Sequence, residues 1–165
     1  MRILSVLCVL AFLLAPSFLL ADPHFNKTVI VILPNGAEAT ISYNTVPANV
    51  TRAENAPAGT FITPRSPSLE LSAAVSSGGT EIPAGKYTIG VIKNGADDWT
   101  MGLYKGGLSG TPDMANVIKL DSMYSSSMGT AEHMLVDITP GSGKFEGKAV
   151  LTLHFGTMFL AGALS

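Results

Sequence analysis

Cysteine is almost absent from this sequence. The one cysteine in 165 residues, Cys8, lies in an apolar stretch at the amino terminus. Beyond that stretch there is no thiolate for a disulfide, a thiolate zinc site, a type 1 copper site or thiol catalysis. The folded part of the chain must therefore be stabilised by its apolar core without a covalent cross-link.

Charged side chains are also scarce. They make up 13% of the residues, with 12 acidic and 10 basic groups and a formal net charge of −2 at pH 7. No part of the sequence concentrates Lys or Arg, whereas proteins that bind phosphate backbones carry such clusters. We therefore expect no nucleic-acid partner.

Motifs of familiar enzyme classes are lacking as well. Gly141-Ser142-Gly143 lies in a turn, without the strand-to-helix context of a nucleophile elbow. No glycine-rich loop opens a helix that would bind phosphate. Asp97 and Asp98 are neighbours on a hairpin and point apart, so they cannot flank one glycosidic bond. The sequence predicts no catalytic residue.

Histidine is too sparse to build a metal centre. The three histidines, His24, His133 and His154, have no second histidine at strand or helix spacing. His133 and Asp137 share a strand face, but an i, i+4 pair on a strand is separated by roughly 13 Å. His24 would be the third residue after a cleavage before Asp22, where Pro23 removes an amide that a square-planar copper site uses. We predict neither a metal nor a cofactor.

What the sequence does contain is a long hydrophobic run at its start. Met1-Arg2 is short and basic, Ile3–Leu20 is nearly all apolar, and the small residue Ala21 precedes Asp22. This pattern predicts a cleaved signal peptide over residues 1–21 and a secreted or periplasmic domain over residues 22–165. Contact with the membrane is then expected only during export. The alternative is an uncleaved membrane anchor, since the apolar run is close to spanning length.

After the leader, apolar and polar residues alternate with a period of two. In Ile82–Tyr104 a Pro-Ala-Gly turn leads into one alternating segment, and Asn94-Gly95 separates it from a second. Similar segments and turn signals recur at roughly 8–12-residue spacing, with no convincing helical pattern. The sequence therefore predicts an all-β fold, a single antiparallel β-sandwich of about eight strands.

Three other segments carry specific expectations. Lys27–Leu33 is apolar on both faces, which is typical of a buried strand. Asn44–Pro67 is irregular and rich in proline, so it is either a wrapping loop or a functional loop. Met158–Leu164 is a final apolar strand through which the protein could assemble.

The central hairpin also carries a family resemblance. The run Ile82–Ile89, IPAGKYTI, followed by Trp99-Thr100, resembles the domain-of-unknown-function 2911 family of exported bacterial β proteins. The similarity extends over about Ile41–Phe159. The family usually has Trp-Arg-x-Gly-Ala-Asn where this chain has Thr63–Ser68, and only Arg65 is retained. The resemblance implies a β fold and export, and it implies no reaction.

Three residues are candidates for ligand binding. Arg65 lies in a stiff loop between two prolines and could hold a carboxylate. Glu132 and His133 begin a later strand and would complete a site if all three met in one cleft. Solvated side chains are the competing interpretation for each of them.

Two sequons and two aromatic residues each have a functional and a structural interpretation. Asn26 and Asn49 match the N-glycosylation acceptor, a short pattern that also occurs by chance. Tyr87 and Trp99 could form an outward platform for a sugar ring, but their apolar neighbours favour burial in the core.

The favoured function is an exported, non-enzymatic domain that binds a small molecule or another protein. One alternative is a hydrolase of unfamiliar type, with its site near residues 44–67 and the strand of His133. The other is a structural or cell-surface protein that assembles with copies of itself.

Overall fold

Antiparallel strands form most of the structure. The computed structural model describes residues 24–165, so the predicted signal peptide lies outside the described residues. Thirteen strands are present in that range. They are β1 Asn26–Ile32, β2 Glu38–Asn44, β3 Phe61–Ile62, β4 Ser68–Leu71, β5 Val75–Ser77, β6 Thr80–Ile82, β7 Gly85–Lys93, β8 Trp99–Lys105, β9 Val117–Lys119, β10 Ser122–Ser125, β11 Ala131–Pro140, β12 Ala149–Gly156 and β13 Met158–Leu164.

The strands form two main sheets and a small hairpin. The larger sheet has the order β1-β2-β4-β7-β8-β9, and β3 pairs with β7 beyond the end of β4. The smaller sheet has the order β10-β13-β12-β11, and β5 pairs with β6. All these pairs are antiparallel, as the sequence predicts.

The strand count exceeds the predicted eight partly because the short strands β3 and β6 were not predicted and partly because two predicted strands are interrupted. The segment after Ser68 divides into β4 and β5, since the Ser72 N–H donates to the Glu38 carbonyl and the chain then leaves the sheet. The segment after Val117 divides into β9 and β10 at Leu120, whose N–H donates to the Met101 carbonyl at 2.9 Å. Both segments alternate in sequence, but their halves belong to different sheets.

The expectation of no helix is wrong for one short segment. Helix α1 spans Thr51–Glu54, and two 3-10 helices span Met114–Asn116 and Gly143–Phe145. Four residues are too few for a helical hydrophobic pattern to be detected. Within residues 24–165, no helix is long and apolar enough to span a membrane.

Both main sheets contribute to one cluster of buried side chains. The predicted core face of the central hairpin is confirmed, because Tyr87, Ile89, Met101 and Leu103 are fully buried. From the smaller sheet, the cluster includes residues of β11, β12 and β13: Met134, Val136, Ile138, Leu151, Leu153 and Leu160. The two main sheets therefore contribute side chains to the same core.

The edge strands differ from expectation. β1 is mostly exposed rather than buried, with Ile30 and Ile32 62% and 64% exposed, because β2 is its one strand partner among residues 24–165. Conversely, β13 pairs with β10 on one side and β12 on the other. The terminal strand expected to mediate assembly therefore has no free edge.

Tyr87 connects the central hairpin to the turn before it. Its hydroxyl donates to the Pro83 carbonyl at 2.6 Å, and burial raises the pKa of the phenol above its ordinary value of 10.0. Because the unfolded chain then releases its phenolic proton at lower pH than the native protein does, this term lowers stability as the pH rises above about 10.

We therefore expect Tyr87→Phe to destabilise the protein by about 1 kcal/mol at neutral pH through the lost hydrogen bond. The deficit should shrink above about pH 10, since the variant has no phenol to ionise. Urea unfolding at neutral and alkaline pH measures both effects. A deficit that stays constant up to pH 11 would contradict the assignment.

Candidate functional site

A cavity of about 410 Å³ lies beside the proline-rich connection between β2 and β4. We call it the loop cavity. Most of its lining comes from three parts of the chain: the segment from Val46 to Ala53, the segment from Ile62 to Arg65, and the end of the β12–β13 hairpin. His24 and Val91 of β7 complete the lining. Its apolar lining comes mainly from Val46, Ala53, Ile62, Val91, Leu153, Phe155 and Met158.

The first wall is held by the smaller sheet. The Met134 N–H donates to the Val46 carbonyl and the Ala48 N–H to the Glu132 carbonyl, both at 2.8 Å. This main-chain pairing places Pro47 opposite His133. The connection after β2 thus crosses from one sheet to the other, which makes the predicted long loop a structural wall.

Helix α1 continues this wall. The Asn49 side chain accepts a hydrogen bond from the Thr51 N–H at 3.1 Å, and Ala53 is buried against the core. At the other end, the Lys93 ammonium donates to the Glu54 carbonyl, which ties the last turn to β7. The short helix is therefore fixed at both ends, and it places the side chain of Arg52 at the cavity.

The second wall is β3, which depends on two glycines. Phe61 packs on Gly90 and Gly102 of the central hairpin: a β-carbon on Gly90 would clash with its ring, and one on Gly102 would lie 3.2 Å from it. Pairing with β7 places Phe61 opposite Ile92 and Ile62 opposite Val91. The absence of side chains on these glycines lets an aromatic ring lie flat against the sheet.

The third wall is the tip of the β12–β13 hairpin. Phe155 pairs with Met158 across the turn, and Gly156 adopts a positive φ of 62° there. A β-carbon on Gly156 would lie 2.7 Å from Val50. Glycine therefore permits both the tight turn and the close approach of the first wall.

Arg65 occupies a strained loop at the rim. Arg65 and Ser66 have φ values of 53° and 48°, in the left-handed region that residues other than glycine rarely adopt. Both ends of the loop bind one residue of β7: the Ile89 carbonyl accepts from the Thr63 hydroxyl at 2.8 Å, and the Ile89 N–H donates to the Pro67 carbonyl at 2.7 Å. These bonds hold the loop in its strained form.

The rim of the loop cavity is positively charged. Arg52 and Arg65 both line it, and its lining contains no Asp or Glu. Within residues 24–165, neither guanidinium forms an ion pair or a hydrogen bond; the ion pairs there join Lys144 and Lys148 to Asp121. Two cations thus face one cavity in a protein of negative net charge.

Of the predicted ligand-binding residues, Arg65 alone lines this cavity. Glu132 is exposed on β11, and the buried Nε2 of His133 has no hydrogen-bond partner in the structure. Both residues lie behind the first wall, since His133 is opposite Pro47. Arg52 was not predicted as a site residue. Its position depends on a helix of one turn, which is too short to produce a periodic sequence pattern.

Other features weighed in the sequence have clear positions. Tyr87 and Trp99 are buried, which confirms the core interpretation. Asn26 and Asn49 are both exposed. Over the described range, no group of three or more His, Asp or Glu side chains is placed to hold a metal ion.

Comparison with known proteins identified no relative of this chain. No family model, no curated protein and no solved structure matches this chain.

Proposed function

We propose that this protein is an exported, non-enzymatic domain that binds a small, largely apolar ligand in the loop cavity. The main support is the cavity itself, whose volume of about 410 Å³ lies within the usual range of about 300–1,000 Å³ for small-molecule sites. Apolar walls with a few polar groups at the rim are the usual composition of such a site.

The way in which the walls are held also supports binding. Each wall is fixed by main-chain hydrogen bonds or by close packing on glycine, so little conformational freedom remains to be lost when a ligand enters. A cavity that is formed before the ligand arrives gives affinity at low entropic cost.

We propose further that the two sheets pack as one β-sandwich and that residues 1–21 direct export. The shared buried cluster supports the first part of this proposal. The second rests on the leader sequence, a basic start followed by an apolar run and a small residue before Asp22. The hydrolase alternative requires Arg65, Glu132 and His133 in one cleft, and the placement of Arg65 alone at the cavity favours binding.

We expect octanoate to raise the melting temperature of the protein, because a ligand that binds the native state stabilises it by mass action. Phe155→Trp should abolish most of this shift by filling the cavity with a larger ring. Phe159→Trp is the matched control, since Phe159 is a half-buried ring on the same hairpin and does not line the cavity.

Differential scanning fluorimetry with increasing octanoate measures the shift. The proposal would be rejected if the unmodified protein showed no saturable shift with octanoate, octanol or octyl sulfate. It would also be rejected if both tryptophan variants responded as strongly as the unmodified protein.

A further inference from the structure

We infer that the ligand of the loop cavity carries a carboxylate, which Arg52 and Arg65 recognise at the rim while the apolar body enters the cavity. This inference rests on the proposed binding function and specifies the chemistry of its ligand. Three observations support it: the positive charge at the rim, the strained loop that fixes Arg65, and the apolar walls of the cavity.

The charge at the rim is the first argument. The two guanidinium groups come from different parts of the chain, α1 and the loop after β3, yet both line one cavity. Twelve acidic side chains are present in the whole sequence, and none of them lines this cavity. Two unpaired cations repel each other and gain by accepting an anion between them.

The second argument is the strained, hydrogen-bonded loop that contains Arg65. A left-handed conformation at two consecutive non-glycine residues costs free energy, and such strain is characteristic of ligand sites. Two hydrogen bonds to Ile89 maintain it, and Pro64 restricts the chain immediately before it. The loop therefore presents the backbone of Arg65 in a fixed orientation.

The chemistry of arginine and the walls completes the assignment. A guanidinium binds a carboxylate through two parallel N–H···O bonds, a geometry that a neutral head group cannot reproduce. The apolar side chains behind the rim offer contacts to hydrocarbon and no acceptor for a second charged group. The combination matches a small amphipathic acid.

Titration calorimetry with octanoate, octanol and octyl sulfate tests this inference. We expect octanoate to bind about tenfold more tightly than octanol, as a charge-assisted hydrogen bond requires. Arg65→Met and Arg52→Met should each weaken octanoate by about tenfold and leave octanol unchanged. Lys119→Met is the control, because it removes one positive charge from an exposed residue outside the cavity.

The outcomes separate the two proposals. Equal binding of octanoate and octanol would overturn the carboxylate assignment and leave the binding function standing. Tighter binding of octyl sulfate than of octanoate would also overturn it, in favour of a tetrahedral anion. An equal loss of octanoate affinity in Lys119→Met would show that net charge, and not the rim arginines, attracts the acid. Failure of all three compounds to bind would reject the binding function itself.

Discussion

Replacing Gly90 by alanine is expected to displace β3 and destabilise the protein by about 3 kcal/mol, the upper end of the usual cost of overpacking. The new methyl group would overlap the Phe61 ring and lie 2.5 Å from the Ile62 carbonyl oxygen. The ring can rotate away, whereas the carbonyl belongs to a paired strand and cannot. Because Ile62 lines the loop cavity, affinity for octanoate should fall with stability.

Gly107→Ala is the matched control for this change. A β-carbon at Gly107 would meet no atom within 4 Å, and the residue does not have a positive φ. Urea unfolding and calorimetry of the two variants give the comparison. If Gly90→Ala were as stable as Gly107→Ala, the packing of β3 on the central hairpin described above would be incorrect.

Leu151→Ala should have a comparable effect, with a loss of about 2–5 kcal/mol for a fully buried leucine. Leu151 lies in the smaller sheet and is 0% exposed. Trp99 lies in the larger sheet, and its ring is 6.4 Å from that of Tyr124 on β10. If the sheets share one core, the change should shift the unfolding midpoint reported by Trp99 fluorescence and by circular dichroism equally.

Leu135→Ala removes the same atoms from the neighbouring strand and serves as its control. Leu135 is 45% exposed, so the expected change is within about 0.5 kcal/mol. A Trp99 transition that did not respond to Leu151→Ala would mean that the two sheets unfold independently, and the proposed sandwich would have to be abandoned.

Alternation of side chains predicted the faces of the sheets correctly and their edges poorly. A period of two places Tyr87, Ile89 and Met101 on a buried face whatever the neighbouring strands are. It does not reveal which strand lies at an edge, because that depends on pairing between segments distant in sequence. β1 is the example: its two apolar faces suggested burial, and in the part of the chain that the structure describes it has a sheet partner on one side only.

The loop cavity could be predicted only in part, for a related reason. Pro64, Arg65 and Pro67 identify a stiff loop with a cation in the sequence itself. The other components are a two-residue strand, a helix of one turn and close approaches to glycine, which are too short to leave a periodic pattern. Arg52 and Arg65 line the same cavity because of tertiary packing that no local sequence signal encodes.

Ile89 belongs both to the core and to the hydrogen bonds of the Arg65 loop, so mutations that destabilise the core should also affect the loop. Its side chain is completely enclosed by the interior, and its peptide groups fasten both ends of the Arg65 loop. Any loosening of the interior around this residue is thereby transmitted to the rim without a conformational switch. If the loop cavity binds a ligand as proposed, its affinity should therefore decline in partly destabilised variants before the protein unfolds.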